Sequence, residues 1–157
     1  MLSSIWIFAE ALHPAPITAV LDNILKSFKE SVQSDAIYLD FRKAFDSVAH
    51  NELLTKLWYF GIMGNLWKWF RAYLSSRKQC VRLNNTISDP LPVVSGVPQG
   101  SILGPILFFI FVNDLPETLS SSHMLLFADD TKCFKAIHDS LDSHILQQDL
   151  YIHQKCQ

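Results

Sequence analysis

The chain has 157 residues, enough for one hydrophobic core, and 49% of them are hydrophobic, which excludes a mainly disordered polypeptide. Its net charge of −2 argues, taken whole, against a nucleic-acid partner, and its longest apolar run, residues 106–112, is far short of the roughly 18 to 20 residues that span a bilayer. Cys80, Cys133 and Cys156 are widely spaced with no C-x-x-C pairing, so they read as reduced core thiols rather than a disulfide or zinc framework.

The amino-terminal stretch MLSSIWIFAEALHPAP has no early Lys or Arg and is interrupted by Glu10. It is not the pattern of a secretory signal, and an intracellular protein with no membrane segment is expected. Over residues 17–32, Val20, Leu21, Ile24, Leu25, Phe28 and Val32 recur at helical spacing and predict an amphipathic helix. DAIYLDF at 35–41 predicts a strand with Ile37 and Leu39 on one face, Tyr38 and Asp40 on the other, and Asp40 at its exit. Asn51 is placed to cap a helix whose Leu53, Leu57 and Phe60 share a face and which stops at Gly61; a second helix covers 66–74.

QCVRLNNTIS predicts a hairpin turning at Asn84 and Asn85, and PLPVVSGVPQGS is an extended, turn-rich segment. A helix is expected from about Ser101 to Leu115, with Gly104 and Pro105 tolerated only in its first turn. HMLLFADDTKCF then reads as strand, turn and strand, and a helix from Ser140 has Leu141, Ile145 and Ile152 in phase. His153 and Cys156 have a ligand-like spacing but lack a second pair. The last helix reaches Gln157 without a capping glycine, so the sequence reads as cut rather than finished. No repeat, low-complexity tract or linker divides it, and a single globular unit is expected.

Charge is unevenly placed. Between Asp40 and Arg82 lie eight basic residues (Arg42, Lys43, Lys56, Lys68, Arg71, Arg77, Lys78, Arg82) against three acids, a local +5 that leaves −7 elsewhere. The same segment is rich in Trp and Tyr. That combination suits a phosphate backbone with stacked bases, and a solvated face over an aromatic core explains the same letters. Asp129 and Asp130 taken alone fit an ordinary hairpin turn. Asp40 also leaves a predicted strand, however, and if the two strands pair, three carboxylates converge. The least costly way to keep them ionised together is a pair of hard divalent cations, the apparatus of phosphoryl and nucleotidyl transfer.

YLDFRKAFDSV, SGVPQGSILGPILFFIFVNDLP and LLFADDT occur in this order. Together they resemble the palm motifs of reverse transcriptases. Gly-Ser-Ile-Leu-Gly-Pro after Val-Pro-Gln, and Phe-Ala-Asp-Asp in place of Tyr-x-Asp-Asp, are similar to the non-LTR (LINE-type) retrotransposon enzymes of animals. The similarity covers roughly residues 35–134. It implies an α+β fold, a polymerase palm-like antiparallel sheet with helices packed on one face and a partial fingers region. Residues 1–34 would be the partial fingers and N-terminal helix, 35–137 the palm, and 138–157 the start of a C-terminal helix, all within one truncated domain.

The resemblance further implies an RNA-directed DNA polymerase acting by two-metal nucleotidyl transfer with Mg²⁺ or Mn²⁺, on an RNA template, a DNA primer and a dNTP. Asp40 and Asp129 would be the metal ligands, with Asp130 beside them, the three together forming the catalytic metal site. Phe45 would lie under the incoming sugar and exclude a 2′-hydroxyl by volume, its other reading being a core phenylalanine. Gln99 and Gly100 would lie against the nucleotide and template base, where Gly permits close backbone approach and an amide contacts a base without adding charge. Arg42 and Lys43 would contact triphosphate or nearby backbone, or belong to a solvated loop. Asp46 is read as structural, setting the turn that follows it.

The basic finger region upstream and the Lys-containing motif, primer grip, thumb and endonuclease are not found in the sequence. Without the parts that position primer and triphosphate, the isolated chain is expected to be inactive. A decayed transposon remnant is the rival reading. A non-catalytic RNA-binding or interaction module on the same fold would be marked by a lost metal carboxylate, and none is lost. A group II intron maturase would carry a second Gly where Ser101 stands.

Overall fold

The computed structural model of the chain describes residues 15–119, 121–127 and 129–155. The amino-terminal stretch to Pro14 and the side chains of His153 and Cys156 lie outside the described residues. The fold is mixed α/β with antiparallel sheets, and it divides into two compact units: one runs to Phe41 and resumes at Asn113, and the other is Arg42–Val112.

The first unit is built on a three-stranded antiparallel sheet in the order β1-β7-β6, with β1 at Gln33–Asp40, β6 at His123–Phe127 and β7 at Asp130–Ile137. The register pairs Ile37 with Cys133, Tyr38 with Lys132, and Asp40 with Asp130. Because side chains alternate along a strand, Ile37, Leu39, Thr131, Cys133 and Met124 share one face and Tyr38, Lys132, Asp40 and Asp130 the other. The first face is covered: Thr131 and Cys133 are buried, as is Met124. On the second, the Lys132 ammonium sits over the Tyr38 ring, 5.2 Å from its centroid.

Helix α1, Ala15–Glu30, contacts β1. The apolar stripe expected to be its core face is exposed at Leu21, Leu25 and Phe28, while Ser27 is buried with its hydroxyl donating to the Asn23 carbonyl. Periodicity found the helix, but hydrophobicity along it does not say which side meets the sheet. The last helix of this unit, Ser140–Lys155, packs on β7. Its start is fixed reciprocally: Asp139 Oδ1 accepts the Asp142 N–H, and Asp142 Oδ2 accepts the His138 N–H. The expected phase of Leu141, Ile145 and Ile152 is only partly kept. Leu141 is exposed, Ile152 lies outside the described side chains, and among the described side chains of the helix the buried ones are Leu146 and Asp149. Asp149 is drawn in because its carboxylate accepts the Ser122 backbone N–H, a polar tether that a hydrophobic count overlooks.

The second unit opens with a single helical turn, α2 at Ala44–Ser47, then α3 at His50–Tyr59 and α4 at Gly64–Ser75. Leu53, Leu57 and Leu74 are fully buried. Asn51 does not cap α3: the helix begins one residue earlier, with Ala49 in the capping position and no side-chain cap. Its end follows the sequence. Gly61 has φ +84°, its N–H donates to the Trp58 carbonyl, and the Ile62 N–H donates to the Leu57 carbonyl, the two bonds that close a helix through a left-handed residue.

Four two-residue strands follow: β2 at Lys78–Gln79 pairs with β5 at Leu91–Pro92, and β3 at Arg82–Leu83 with β4 at Thr86–Ile87, turning at Asn84 and Asn85. Cys80 is exposed here, unlike the buried Cys133, so only one of the two described thiols is a core residue. Helix α5, Leu103–Val112, is almost wholly apolar and buries Leu107, Phe108, Ile110 and Val112. It stops before the expected Leu115. After Val112 the chain leaves the α-helix, and a separate 3₁₀ turn at Leu115–Thr118, with Pro116 in its opening positions, follows in the first unit. With that, the closing helix at Ser140–Lys155 is α6.

Candidate active site

In the first unit, β1 ends at Asp40 and β7 begins at Asp130, and the two are direct cross-strand partners on the same face of the sheet. Directly opposed residues have Cβ atoms about 4.5 to 5.5 Å apart, and like charges so placed destabilise a sheet by up to about 1 kcal/mol. Both residues are exposed. Among the described residues, no Lys or Arg side chain pairs with either of them or with Asp129, so their charge is left uncompensated by the protein. Asp129 is half-buried in the turn that joins β6 to β7. Among the described residues no group of three His, Cys, Asp or Glu side chains is arranged to hold a metal ion. The register thus joins Asp40 to Asp130, and Asp129 flanks them without completing a three-carboxylate cluster. Two hard oxygen donors, exposed and without a cationic partner, fit Mg²⁺ or Mn²⁺, which are held by one or two carboxylates and retain water.

In the second unit, the segment Ser95–Gln99 is tied to the chain after β1. The Gly96 N–H donates to the Val48 carbonyl and the Val97 N–H to the Phe45 carbonyl, each at 2.8 Å, and Ser95 Oγ donates to the Asp46 carbonyl at 2.9 Å. The Gly96 carbonyl accepts from two side chains, His50 Nε2 at 2.9 Å and Arg77 Nη2. Gly96 is buried at φ +84°, and a Cβ there would stand 2.8 Å from Asp46 Cα and 2.9 Å from the Phe45 carbonyl oxygen. Only glycine fits so close an approach of two backbones.

That tie positions Gln99, whose Nε2 donates to Asp46 Oδ1 at 2.9 Å. The Asp46 carboxylate is thus engaged by Gln99 rather than by the residues that immediately follow it. Ser101 continues the framework: its Oγ donates to the Pro98 carbonyl and accepts the Gly104 N–H at the head of α5.

A groove of about 870 Å³ lies over this framework, lined by Arg42, Lys43, Asp46, Arg77, Lys78 and Gln99 among others. Arg42, Lys43 and Gln99, expected at a nucleotide, therefore share one concave surface. Phe45 and Gly100 do not line it. The Phe45 ring is half-buried and packs on Phe108, centroids 4.9 Å apart. Gly100 is exposed, with open space where a Cβ would stand. Lys43 adopts φ +54°, a left-handed conformation that costs a non-glycine residue about 1 to 2 kcal/mol. Its carbonyl accepts the Asp46 and Ser47 N–H groups, which offset that strain.

Arg77, Lys78 and His50 were not singled out by sequence reasoning. Arg77 and Lys78 are part of the basic run between Asp40 and Arg82, and nothing in their local pattern separates them from a solvated face.

Comparison with known proteins follows the same lines. The family model described as reverse transcriptase (RNA-dependent DNA polymerase) matches residues 11–154. The probable RNA-directed DNA polymerase from transposon X-element of Drosophila melanogaster is 33% identical over 136 residues, which cover 78% of this chain and 14% of that protein. The corresponding protein from transposon BS of the same organism is 36% identical over 100 residues, 60% of this chain and 10% of its own length. The RNA-directed DNA polymerase from mobile element jockey of Drosophila funebris is 28% identical over 145 residues, 84% of this chain and 16% of its length. The chain spans between about a tenth and a sixth of these relatives. No helix among the described residues is long and apolar enough to cross a membrane.

Proposed function

The chain belongs to the reverse transcriptase family, an enzyme family whose relatives here are polymerases of non-LTR retrotransposons, and from that premise we propose that it carries the palm of an RNA-directed DNA polymerase. In this reading residues 35–137 are the palm, 1–34 the N-terminal helix with part of the fingers, and 138–157 the start of a C-terminal helix. The ligands are an RNA template, a DNA primer and a dNTP.

The observation that carries the reading is the register that sets Asp40 opposite Asp130, with no Lys or Arg side chain among the described residues paired to either. Asp40 and Asp130, with Asp129 beside them, hold Mg²⁺ or Mn²⁺. When bound, the divalent ions lower the pKa of the attacking hydroxyl and neutralise charge on the leaving pyrophosphate. The remaining work belongs to side chains. Phe45, whose ring packs on Phe108, is the residue that would exclude a 2′-hydroxyl by volume in this reading. Gln99, its amide held by Asp46, and Gly100 lie against the base and sugar. Arg42 and Lys43 pair with phosphate oxygens by charge-assisted hydrogen bonds.

Titration calorimetry of the chain with Mn²⁺ tests the shared metal site. Binding is expected to weaken at least about tenfold in both Asp40→Asn and Asp130→Asn, the loss of one charge-assisted ligand. Without metal, each substitution should instead raise stability by about 0.2 to 1 kcal/mol, because it relieves the opposed charges. Mn²⁺ affinity unchanged in both variants would remove the site.

A further inference from the structure

The chemistry described so far leaves one fully buried ionisable side chain without a use. Asp149, on α6, is 0% exposed, and its carboxylate Oδ2 accepts the Ser122 backbone N–H at 3.1 Å. A leucine, of the same branched shape, would fill that place without the cost of burying a charge. Packing therefore does not call for a carboxylate there; the amide that it holds does. Lys135 of β7, itself buried, acts one residue away: its Nζ donates to Ser121 Oγ at 2.7 Å and pairs with Asp142 of α6 at 3.2 Å. One step beyond the cross-strand pair His123–Phe134, Ser122 comes level with Lys135. The chain entering β6 is thus held at two consecutive residues, from α6 and from β7.

At its other end β6 leads to Asp129. Phe127 pairs with Asp130, so only residues 128 and 129 link the two strands. A two-residue link fixes the register of a hairpin best when it carries glycine or asparagine at its left-handed positions, and Ala-Asp offers neither. The hydrophobic pattern of β6 does not fix it either. Met124, Leu125, Leu126 and Phe127 are apolar in succession, and Leu125 and Leu126, on opposite faces, are both half-buried. Sliding an alternating strand by one residue turns polar side chains inward. Sliding β6 mostly exchanges one apolar side chain for another. The pairing of Asp40 with Asp130 belongs to β1 and β7. A slip of β6 leaves that pair in place and moves Asp129, because it changes the number of residues in the link.

We propose that Asp149, seconded by Lys135, is a positioning residue for Asp129. By holding Ser121 and Ser122 the two side chains fix the register of β6 on β7, and through the two-residue link the place of Asp129 beside Asp40 and Asp130. What Asp129 does in that place rests on the metal-site reading. The hold on β6 stands on the hydrogen bonds alone.

The test compares Asp149→Leu, which keeps the branched shape and removes the acceptor, with Asp149→Asn, whose amide oxygen can still take the Ser122 N–H. Both are made in the 157-residue chain. Two quantities are read: the cross-strand nuclear Overhauser contacts of β6 with β7, and the affinity for Mn²⁺ by calorimetry, with Asp40→Asn and Asp129→Asn alongside. In Asp149→Leu the contacts between Met124 and Cys133 should give way to those of a shifted register, while those between β1 and β7 persist. Mn²⁺ binding should weaken about tenfold, as in Asp129→Asn, the loss of one charge-assisted ligand. Asp149→Asn should keep both readings at the wild-type level. Lys135→Met removes the second hold alone and should move both readings in the same direction, and it decides the matter if Asp149→Leu does not fold. Native β6–β7 contacts in the deciding variant overturn the proposal, and so does wild-type Mn²⁺ affinity in a chain whose register has shifted. A wild-type chain that binds no Mn²⁺ sinks the metal-site reading instead, and the β6–β7 contacts then judge the hold on β6 by themselves.

Discussion

Gly61 and Gly96 share the same backbone angle, φ +84°, and nothing else. Replacing either by alanine imposes about 1 to 2 kcal/mol of left-handed strain. At Gly61 that is the whole cost, because no atom lies within 4 Å of the added Cβ. At Gly96 the Cβ would meet Asp46 Cα at 2.8 Å and the carbonyl oxygens of Asp46 and Phe45 at 2.9 Å, all of them backbone that cannot swing aside. The two strands of chain must part, which strains the packing by about 1 to 3 kcal/mol and breaks the bonds from the Gly96 and Val97 N–H groups, about 1 kcal/mol each. Gly96→Ala is thus expected to cost about 4 to 7 kcal/mol against about 1 to 2 for Gly61→Ala. Urea unfolding followed by tryptophan fluorescence reads the difference directly, since Trp58, Trp67 and Trp69 all lie in the same unit as both glycines. Equal midpoint shifts for the two variants would refute the claim that the Gly96 turn is zippered against Phe45–Val48.

Phe45→Ala, grafted with this palm into a complete relative, should raise the ratio of ribonucleotide to deoxyribonucleotide incorporation, and because the ring is half-buried on Phe108 it should also cost about 3 kcal/mol of stability, the low end for an aromatic truncation; a loss of stability with an unchanged ratio returns Phe45 to a packing role. The His138 backbone N–H, and after it Lys135 at 3.2 Å, hold the Asp142 carboxyl below the ordinary range, so its contribution is complete above the ordinary carboxylate value and is lost as pH falls through and below it. Melting temperature should therefore fall more steeply between about pH 5 and pH 3 in the wild type than in Asp142→Asn, and parallel curves would count against the pair. Burial, and then the Asp149 charge, push the Cys133 thiol up. In a Cys156→Ser background, a thiol reagent should modify the exposed Cys80 in the folded chain and reach Cys133 only on unfolding.

Elements that declare themselves over a few residues were legible. The alternation of Ile37 to Asp40, the glycine stop at Gly61, and the paired asparagines at Asn84 and Asn85 each encode a local conformation, and each element is found close to where those residues put it. The alternating faces also place Asp40 on the side of the sheet that β7 presents with Asp130. Bonds between distant residues were not legible. Gln99 reaches Asp46, and His50 and Arg77 meet on one carbonyl at Gly96, across separations of 53, 46 and 19 residues. No periodicity records such pairings, because they depend on how the chain returns rather than on how it proceeds. The same holds for Asp149, where a polar tether to Ser122 rather than hydrophobicity decides which face of α6 is buried. It also holds for α1, whose apolar stripe says that a face exists without saying what meets it.

The insertion of Arg42–Val112 between β1 and β7 has a consequence for a chain leaving the ribosome. The helices and short hairpins of the inserted unit close on neighbours nearby in sequence and can form as soon as they emerge. β1 cannot. Among the described residues it is an edge strand laddered to β7 alone, so from the moment Asp40 is made until Asp130 to Ile137 follow, its backbone donors and acceptors stand open to any passing strand. A nascent chain stalled in that interval would hold one folded unit and one unsatisfied strand, and association between such chains through β1 is the failure that this order of synthesis invites.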